Sequence, residues 1–328
     1  MASTDKESYM EQETTRTYTL DAIEKSIEVA PLIEAIEEGF RLYSEGKTVV
    51  PPVGHLQLES PPGDVHIKYG YIEDDEVYVI KIASGFYENP KRGLPSSNGM
   101  MLVFSQETGV AEAILLDEGY LTDVRTGIAG AVAAKHLAPS KVEAIGIVGT
   151  GTQARLQLRY LKEVTDCRKA VVWGRGEEQL ETYTSDMKDE GFDLTATQDM
   201  SELTSTCNLI VTTTRAFEPL IEGGVRKGTH ITAVGADMPG KQELATQVVS
   251  EADQVIVDSK DQCIDHGEIE KAVKDRLLDP NSLVELGSVI GGQAKGREND
   301  KQITVADLTG VAVQDVQIAK FVSRKLRN

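Results

Sequence analysis

The 328-residue chain carries 53 acidic against 34 basic side chains, a formal net charge of −19, which disfavours a nucleic acid or an anionic membrane surface as its main partner. A composition 40% hydrophobic and 27% charged is that of an ordinary globular protein and excludes a fibrous or disordered chain. Cys167, Cys207 and Cys263 are isolated and odd in number, the five histidines lack ligand spacing, and no stretch reaches the ~18 apolar residues of a membrane span. Neither a disulfide framework, a bound metal nor a transmembrane helix is therefore expected, and the polar, acidic start points to the cytoplasm.

In chain order, Met1 to about Arg16 is a polar lead with little to bury, expected to behave as a tail. From Pro31 to Glu45, Leu32, Ile33, Ile36 and Phe40 recur at helical spacing, with Gly46 as a stop. Between Val49 and Leu116 the texture changes to short runs, Val65–Tyr69, Val77–Ile82 and Met100–Phe104, separated by Gly, Pro, Asp and Asn; these predict a mostly antiparallel sheet. A helix over Asp123–His136 follows, its Ala129, Gly130, Ala131, Ala133 and Ala134 suited to close packing. After Pro139 the apolar runs Ala144–Val148, Ala170–Trp173, Leu209–Thr213, Ile231–Val234 and Gln254–Val257 alternate with helical segments, the signature of an α/β fold with a doubly wound parallel sheet. The last segment, Val305–Leu326, reads as helix with no strand after it.

The first of these parallel strands runs straight into Gly149-Thr150-Gly151-Thr152-Gln153-Ala154 and then into a helical stretch. In that context the first glycine permits the tight turn, the second lets the backbone approach a pyrophosphate, and Ala154 lets helix and strand pack closely. This predicts a nicotinamide dinucleotide. Thr212, Thr213, Thr214 and Gly235, at the ends of two later strands, complete the expected cofactor set. The second strand ends in Gly174-Arg175-Gly176, where an NAD site usually places an acid on the ribose. Arg175 facing a 2′-phosphate favours NADPH over NADH; a solvated arginine, with Glu177 or Glu178 on the ribose, is the competing reading.

Lys81, the run Leu121-Thr122-Asp123-Val124-Arg125-Thr126, the glycine loop and the run from Gly235 through Asp237 to Leu244 together resemble the ornithine cyclodeaminase and mu-crystallin family over nearly the whole chain. The resemblance implies a Rossmann domain, residues 125–306, inserted into a smaller α+β substrate and dimerisation domain made of residues 17–124 and 307–328. It also implies hydride exchange at a carbon bearing nitrogen and carboxylate, in a homodimer. Arg125 matches the arginine that clamps the substrate carboxylate, a task suited to paired guanidinium hydrogen bonds, and Lys81 matches the family lysine. Without the resemblance, a structural salt bridge explains Arg125 equally well. Asp237, just after a strand at the sheet edge where ligands of open α/β folds bind, matches the carboxylate that stabilises or protonates the substrate nitrogen; a turn aspartate before Pro239-Gly240 is the simpler alternative.

The chain departs from the family pattern at Val53, where many relatives carry an arginine. His66 and Lys68 alternate onto one face of their strand, so Lys68 supplies the missing charge or else faces solvent. The run around Asp237 is closer to alanine dehydrogenase and ketimine reductase members than to cyclodeaminases, which typically show Gly-Gly-Asp. The expected activity is NAD(P)H-dependent reduction of a small 2-imino acid, with 1-pyrroline-2-carboxylate to proline first. Ornithine cyclodeamination, an alanine dehydrogenase-like activity and a non-catalytic binding protein of the mu-crystallin kind are the alternatives.

Overall fold

A computed structural model describes residues 14–86 and 88–327. The chain opens with β1 (Arg16–Thr19), α1 (Leu20–Ser26) and α2 (Val29–Ser44), continues through β2 (Thr48–Val49), β3 (Gly54–Glu59), β4 (Pro62–Ile72), β5 (Val77–Gly85), β6 (Ser97–Ser105) and β7 (Ala111–Leu116), and enters α3 (Tyr120–Leu137). The second half carries β8 (Ile145–Val148), α4 (Thr152–Leu161), β9 (Lys169–Trp173), α5 (Glu177–Met187), β10 (Asp193–Thr197), α6 (Met200–Thr206), β11 (Leu209–Thr212) and β12 (His230–Ala233). It ends with α7 (Thr246–Ser250), β13 (Gln254–Val257), α8 (Lys260–His266), α9 (Glu270–Lys274), β14 (Val284–Glu285), α10 (Leu286–Ile290), β15 (Thr304–Asp307) and α11 (Ala312–Arg327). The polar lead before residue 14 lies outside the described residues; Arg16 is already part of a strand.

The first sheet has the order β1-β7-β6-β5-β4-β2, with β3 added on β4. All its pairings are antiparallel except β1 with β7, which are parallel. One face of this sheet is covered by helices: Val77, Val79, Met101, Val103, Ala113 and Leu115 are buried at alternate positions, the period that half-buried strands require. α2 buries Leu32, Ile33, Ile36 and Phe40 as the spacing predicted, each burial worth about 1.5–3 kcal/mol. α11 lies against this half of the molecule, touching α2 closely where Gly39 leaves room for Gln317.

The second sheet is parallel throughout, in the order β10-β9-β8-β11-β12-β15-β13-β14. The chain runs outward from β8 to β10 and then returns to the other side of β8, so the strand order reverses between β8 and β11. Crevices for ligands form at such a reversal, beyond the carboxyl ends of the strands. The structure corrects the reading of the C-terminal segment: Thr304–Asp307 is a strand inserted between β12 and β13, and the helix starts only at Ala312. The helix expected from Asp123 begins earlier, at Tyr120, which places Arg125 in its second turn rather than at its start. α3 joins the two sheets. It packs on α4 because Gly127 and Gly130 leave space for Tyr160 and Gln157, the close approach expected of small residues. Among the described residues no helix is long and apolar enough to cross a membrane.

Candidate active site

A groove of about 640 Å³ lies at the strand-order reversal, between the loop after β8 and the loop after β11. Gly149 has φ +118° and no room for a side chain, since a Cβ would sit 2.6 Å from Thr213 Oγ1. Gly151 is different. Its φ of −84° suits any residue, and a Cβ there meets no protein atom within 4 Å, so the position is open toward the groove it lines. A side chain would fill the cradle and not collide with protein. With Thr152 opening α4 and no side chain capping that helix, the first backbone N–H groups remain available to an anion. The residues present therefore fit the pyrophosphate of a dinucleotide.

The predicted cofactor residues divide by position. Gly149, Thr150, Gly151, Gly174, Arg175, Thr213 and Thr214 line the groove. Arg175 is exposed on its wall, and the sequence reading missed Arg215 on the opposite loop. Ala154 is buried, with its carbonyl accepting from the Tyr183 hydroxyl at 3.0 Å, so it serves packing. Gln153 turns from the groove: Nε2 donates to the carbonyl and the carboxylate of Asp123, both at 3.1 Å. Thr212 is fully buried and donates to Glu243 at 2.7 Å.

Glu243 is the residue that ties the strand ends together. Its carboxylate accepts from Thr212 Oγ1, from the backbone N–H of Thr214 at 2.5 Å and from that of Gly235 at 3.0 Å. A Cβ on Gly235 would strike both the Thr214 carbonyl and Glu243, which explains the glycine. Burial pushes the Glu243 carboxyl up to about 7 despite these donors. Glu268 in turn accepts from the backbone of Glu243 and Leu244. Neither carboxylate was flagged by the sequence, because nothing in a lone Glu announces that it faces three loop groups.

The second constellation forms where the inner face of the first sheet meets α3 and α11. Lys68 in β4 stands directly opposite Lys81 in β5, so both point to the same face. Asp315, in the first turn of α11, places Oδ1 3.0 Å from Lys81 Nζ and 3.1 Å from Arg125 Nε. Arg125 Nη1 also donates to Gln314 at 3.0 Å. All three charged groups are buried. Burial lowers the Lys81 ammonium to about 7, aided by Arg125 and Lys68 and opposed by Asp315. Burial works to raise the Asp315 carboxyl, but Lys81, Arg125 and Lys68 outweigh it and hold it below its usual value. Lys68 Nζ donates to the Gly310 carbonyl at 2.6 Å, and its ammonium is lowered by burial and by Arg125. Its side chain is part-buried.

Gly310 is as constrained as the charges around it. Its φ is +85°, and a Cβ would lie 2.5 Å from Arg125 Nη1. Its N–H donates to Asp258 at 2.7 Å, and Asp258 also accepts from Thr309 Oγ1 at 3.0 Å. Asp237 lies in the loop after β12, half exposed, paired with Lys241 at 2.5 Å. Its charge acts on both His66 and Lys68, so the loop lies within electrostatic reach of that end of the cationic cluster. The sequence-derived trio of Lys81, Arg125 and Asp237 is thus brought to one region, with Lys68 beside it. Asp315, Gln314, Gly310 and Asp258 were missed; their signal was a glycine just before the final helix, which the strand hidden in that segment obscured.

Residues 13–328 match the family model described as the ornithine cyclodeaminase/mu-crystallin family. The chain belongs to that family. An uncharacterized cyclodeaminase, y4tK, of Sinorhizobium fredii is 40% identical over 89% of this chain and 90% of its own. An archaeal alanine dehydrogenase dimer with bound NAD has 35% identity and a TM-score of 0.88, with 95% of each chain covered. The Delta(1)-pyrroline-2-carboxylate reductase of Thermococcus litoralis, solved in complex with NADH and L-proline, has 31% identity and a TM-score of 0.89 over 95% of this chain and 97% of that one.

Proposed function

We propose that this family member is an oxidoreductase that reduces the C=N bond of a small 2-imino acid with a nicotinamide cofactor. The observation that carries the reading is the buried Lys81–Asp315–Arg125 cluster. A guanidinium held from behind by Asp315 and Gln314 presents a fixed fork for a carboxylate. Beside it sits an ammonium whose proton is poised at neutral pH, as a proton donor working there requires. A binding protein needs no such ammonium. The relatives named as a reductase of a cyclic imino acid and as an alanine dehydrogenase support the same chemistry.

When bound, the reduced cofactor supplies a hydride to the imine carbon and is itself oxidised, while the nitrogen takes one proton. Arg125 binds the substrate carboxylate and orients the imine carbon toward the groove. Lys81 delivers the proton at nitrogen, and the Asp237 carboxylate stabilises positive charge there. The product is the 2-amino acid. Arg175, with Arg215 on the facing loop, gives the groove two positive groups for a 2′-phosphate, which favours NADPH over NADH.

The outward face of the first sheet supports a homodimer. Across its strands it carries Ile67, Tyr69, Tyr71, Tyr78, Ile80, Ile82, Met100, Leu102 and Phe104, all partly exposed in the single chain. A contiguous apolar face of this kind marks an interface.

Purified protein given 1-pyrroline-2-carboxylate, or pyruvate with ammonium, and either NADPH or NADH is expected to consume cofactor and form the amino acid in equal amounts, faster with NADPH. L-Ornithine giving ammonia and proline without net cofactor consumption, and no reduction of any imine, would instead establish cyclodeamination.

A further inference from the structure

Two parts of the cationic region remain unused by a substrate with a single carboxylate. Arg125 and Lys81 share Asp315 and suffice for the α-carboxylate and the nitrogen. Lys68 has three ammonium protons, of which one makes a short bond to the Gly310 carbonyl and another only a long one, at 3.5 Å, to the Thr309 carbonyl. Two residues earlier on the same face, His66 has a buried Nε2 that finds no hydrogen-bond partner among the described residues. The His66 ring meets His55 of β3 edge-on at 4.9 Å. Burial holds the His66 imidazolium below its usual value; in the tautomer with the proton on Nε2 the ring is a donor without an acceptor, and such groups cost stability unless a ligand or water satisfies them.

From this juxtaposition we infer that Lys68 and His66 form a second anion subsite, and that the preferred substrate is an open-chain imino acid with a carboxylate on its side chain. The inference rests on the imine-reductase reading and deepens it. The α-carboxylate lies on Arg125, and the side-chain carboxylate reaches along β4 to Lys68 Nζ and His66 Nε2. Register sets this geometry: Lys68 faces Lys81 across the strand pair, and His66 is one pleat further along. The Asp237 charge also reaches His66 and Lys68, and its ion pair with Lys241 offsets its repulsion of an anion held there. A cyclic imino acid leaves the subsite without its anion.

The test compares imines formed in situ by ammonium from oxaloacetate and from pyruvate, with 1-pyrroline-2-carboxylate as the ring substrate. In the unmodified protein kcat/KM is expected to favour the dicarboxylate by roughly 10- to 100-fold, the size of one or two charge-assisted hydrogen bonds. Lys68→Met should erase that preference by lowering the dicarboxylate value far more than the other two, and Lys68→Arg should keep most of it. Binding of L-malate and L-lactate to the protein saturated with reduced cofactor, measured by calorimetry, reads the subsite without turnover. L-Malate should bind more tightly, and the difference should vanish in Lys68→Met. Equal binding of the two acids overturns the subsite whatever the activity, as does an equal loss in Lys68→Arg and Lys68→Met, which would make the lysine a packing element of the Gly310 loop. If no imine is reduced yet L-malate binds in a Lys68-dependent way, the reductase reading fails and the anion subsite stands.

Discussion

Asp315 stands between two cations that must each do something else. Its carboxylate holds the Arg125 guanidinium in place and keeps Lys81 from losing its proton too early. With Lys81 as proton donor, reductive kcat/KM should be highest below pH 7 and fall as pH rises through about 7. Removing the negative charge by Asp315→Asn lowers the Lys81 ammonium further, so the falling limb should move to more acid pH. An unchanged profile in that variant would remove Lys81 from the proton step. Breaking a buried pair also destabilises by about 3–5 kcal/mol, so the shift of the limb, and not the loss of rate, is the diagnostic. Asp237→Asn should lower kcat by about 10²- to 10³-fold, the usual size of a lost electrostatic contribution at the reacting atom, with cofactor affinity intact. A fall smaller than tenfold would reduce the half-exposed Asp237 to a loop residue paired with Lys241. At this scale Lys81 and Arg125 were legible through the family resemblance and not from composition or spacing, since Arg125 taken alone reads equally well as a structural salt bridge. The sequence was silent on Asp315, Asp258 and Glu243, because a buried acid is recognised by its partners, and those partners are up to 234 residues distant.

At the scale of elements, hydrophobic period located β4, β5, β6, α2, α3 and five strands of the parallel sheet. β15 escaped because its four residues run directly into the apolar spacing of α11, and because a strand laid between β12 and β13 takes its hydrogen bonds from segments distant in sequence. β14, two residues long, offers no period at all. The outward face of the first sheet yields a test of assembly. Tyr78 and Phe104 stack at 4.8 Å across β5 and β6, with their rings within 4° of parallel. A pair of charges set beside them, in Ile80→Glu with Leu102→Lys, alters only that face, since both residues point away from the helices. Sedimentation should show a dimer for the unmodified chain and a monomer for the double variant, with the cofactor still bound. A double variant that remained dimeric would place the interface on another surface.

At the scale of the whole molecule, the cofactor groove and the cationic cluster belong to different sheets but share one rigid connection. The Gln153 amide leaves the glycine loop and grips Asp123 through backbone and side chain; Asp123 is two residues from Arg125 on α3. That bridge has a kinetic meaning. A dinucleotide that stills the glycine loop also stills the helix carrying the carboxylate clamp, so part of the ordering cost of substrate binding is met before the substrate arrives. Addition should therefore be ordered, the dinucleotide first and the imino acid second, with product amino acid leaving ahead of the oxidised cofactor. Product-inhibition patterns in the unmodified protein should show oxidised cofactor competing with reduced cofactor and with nothing else. Gln153→Ala cuts the bridge while leaving both binding surfaces in place. The sequence of arrivals should then become random, because either ligand would find its own half of the site ready without the other.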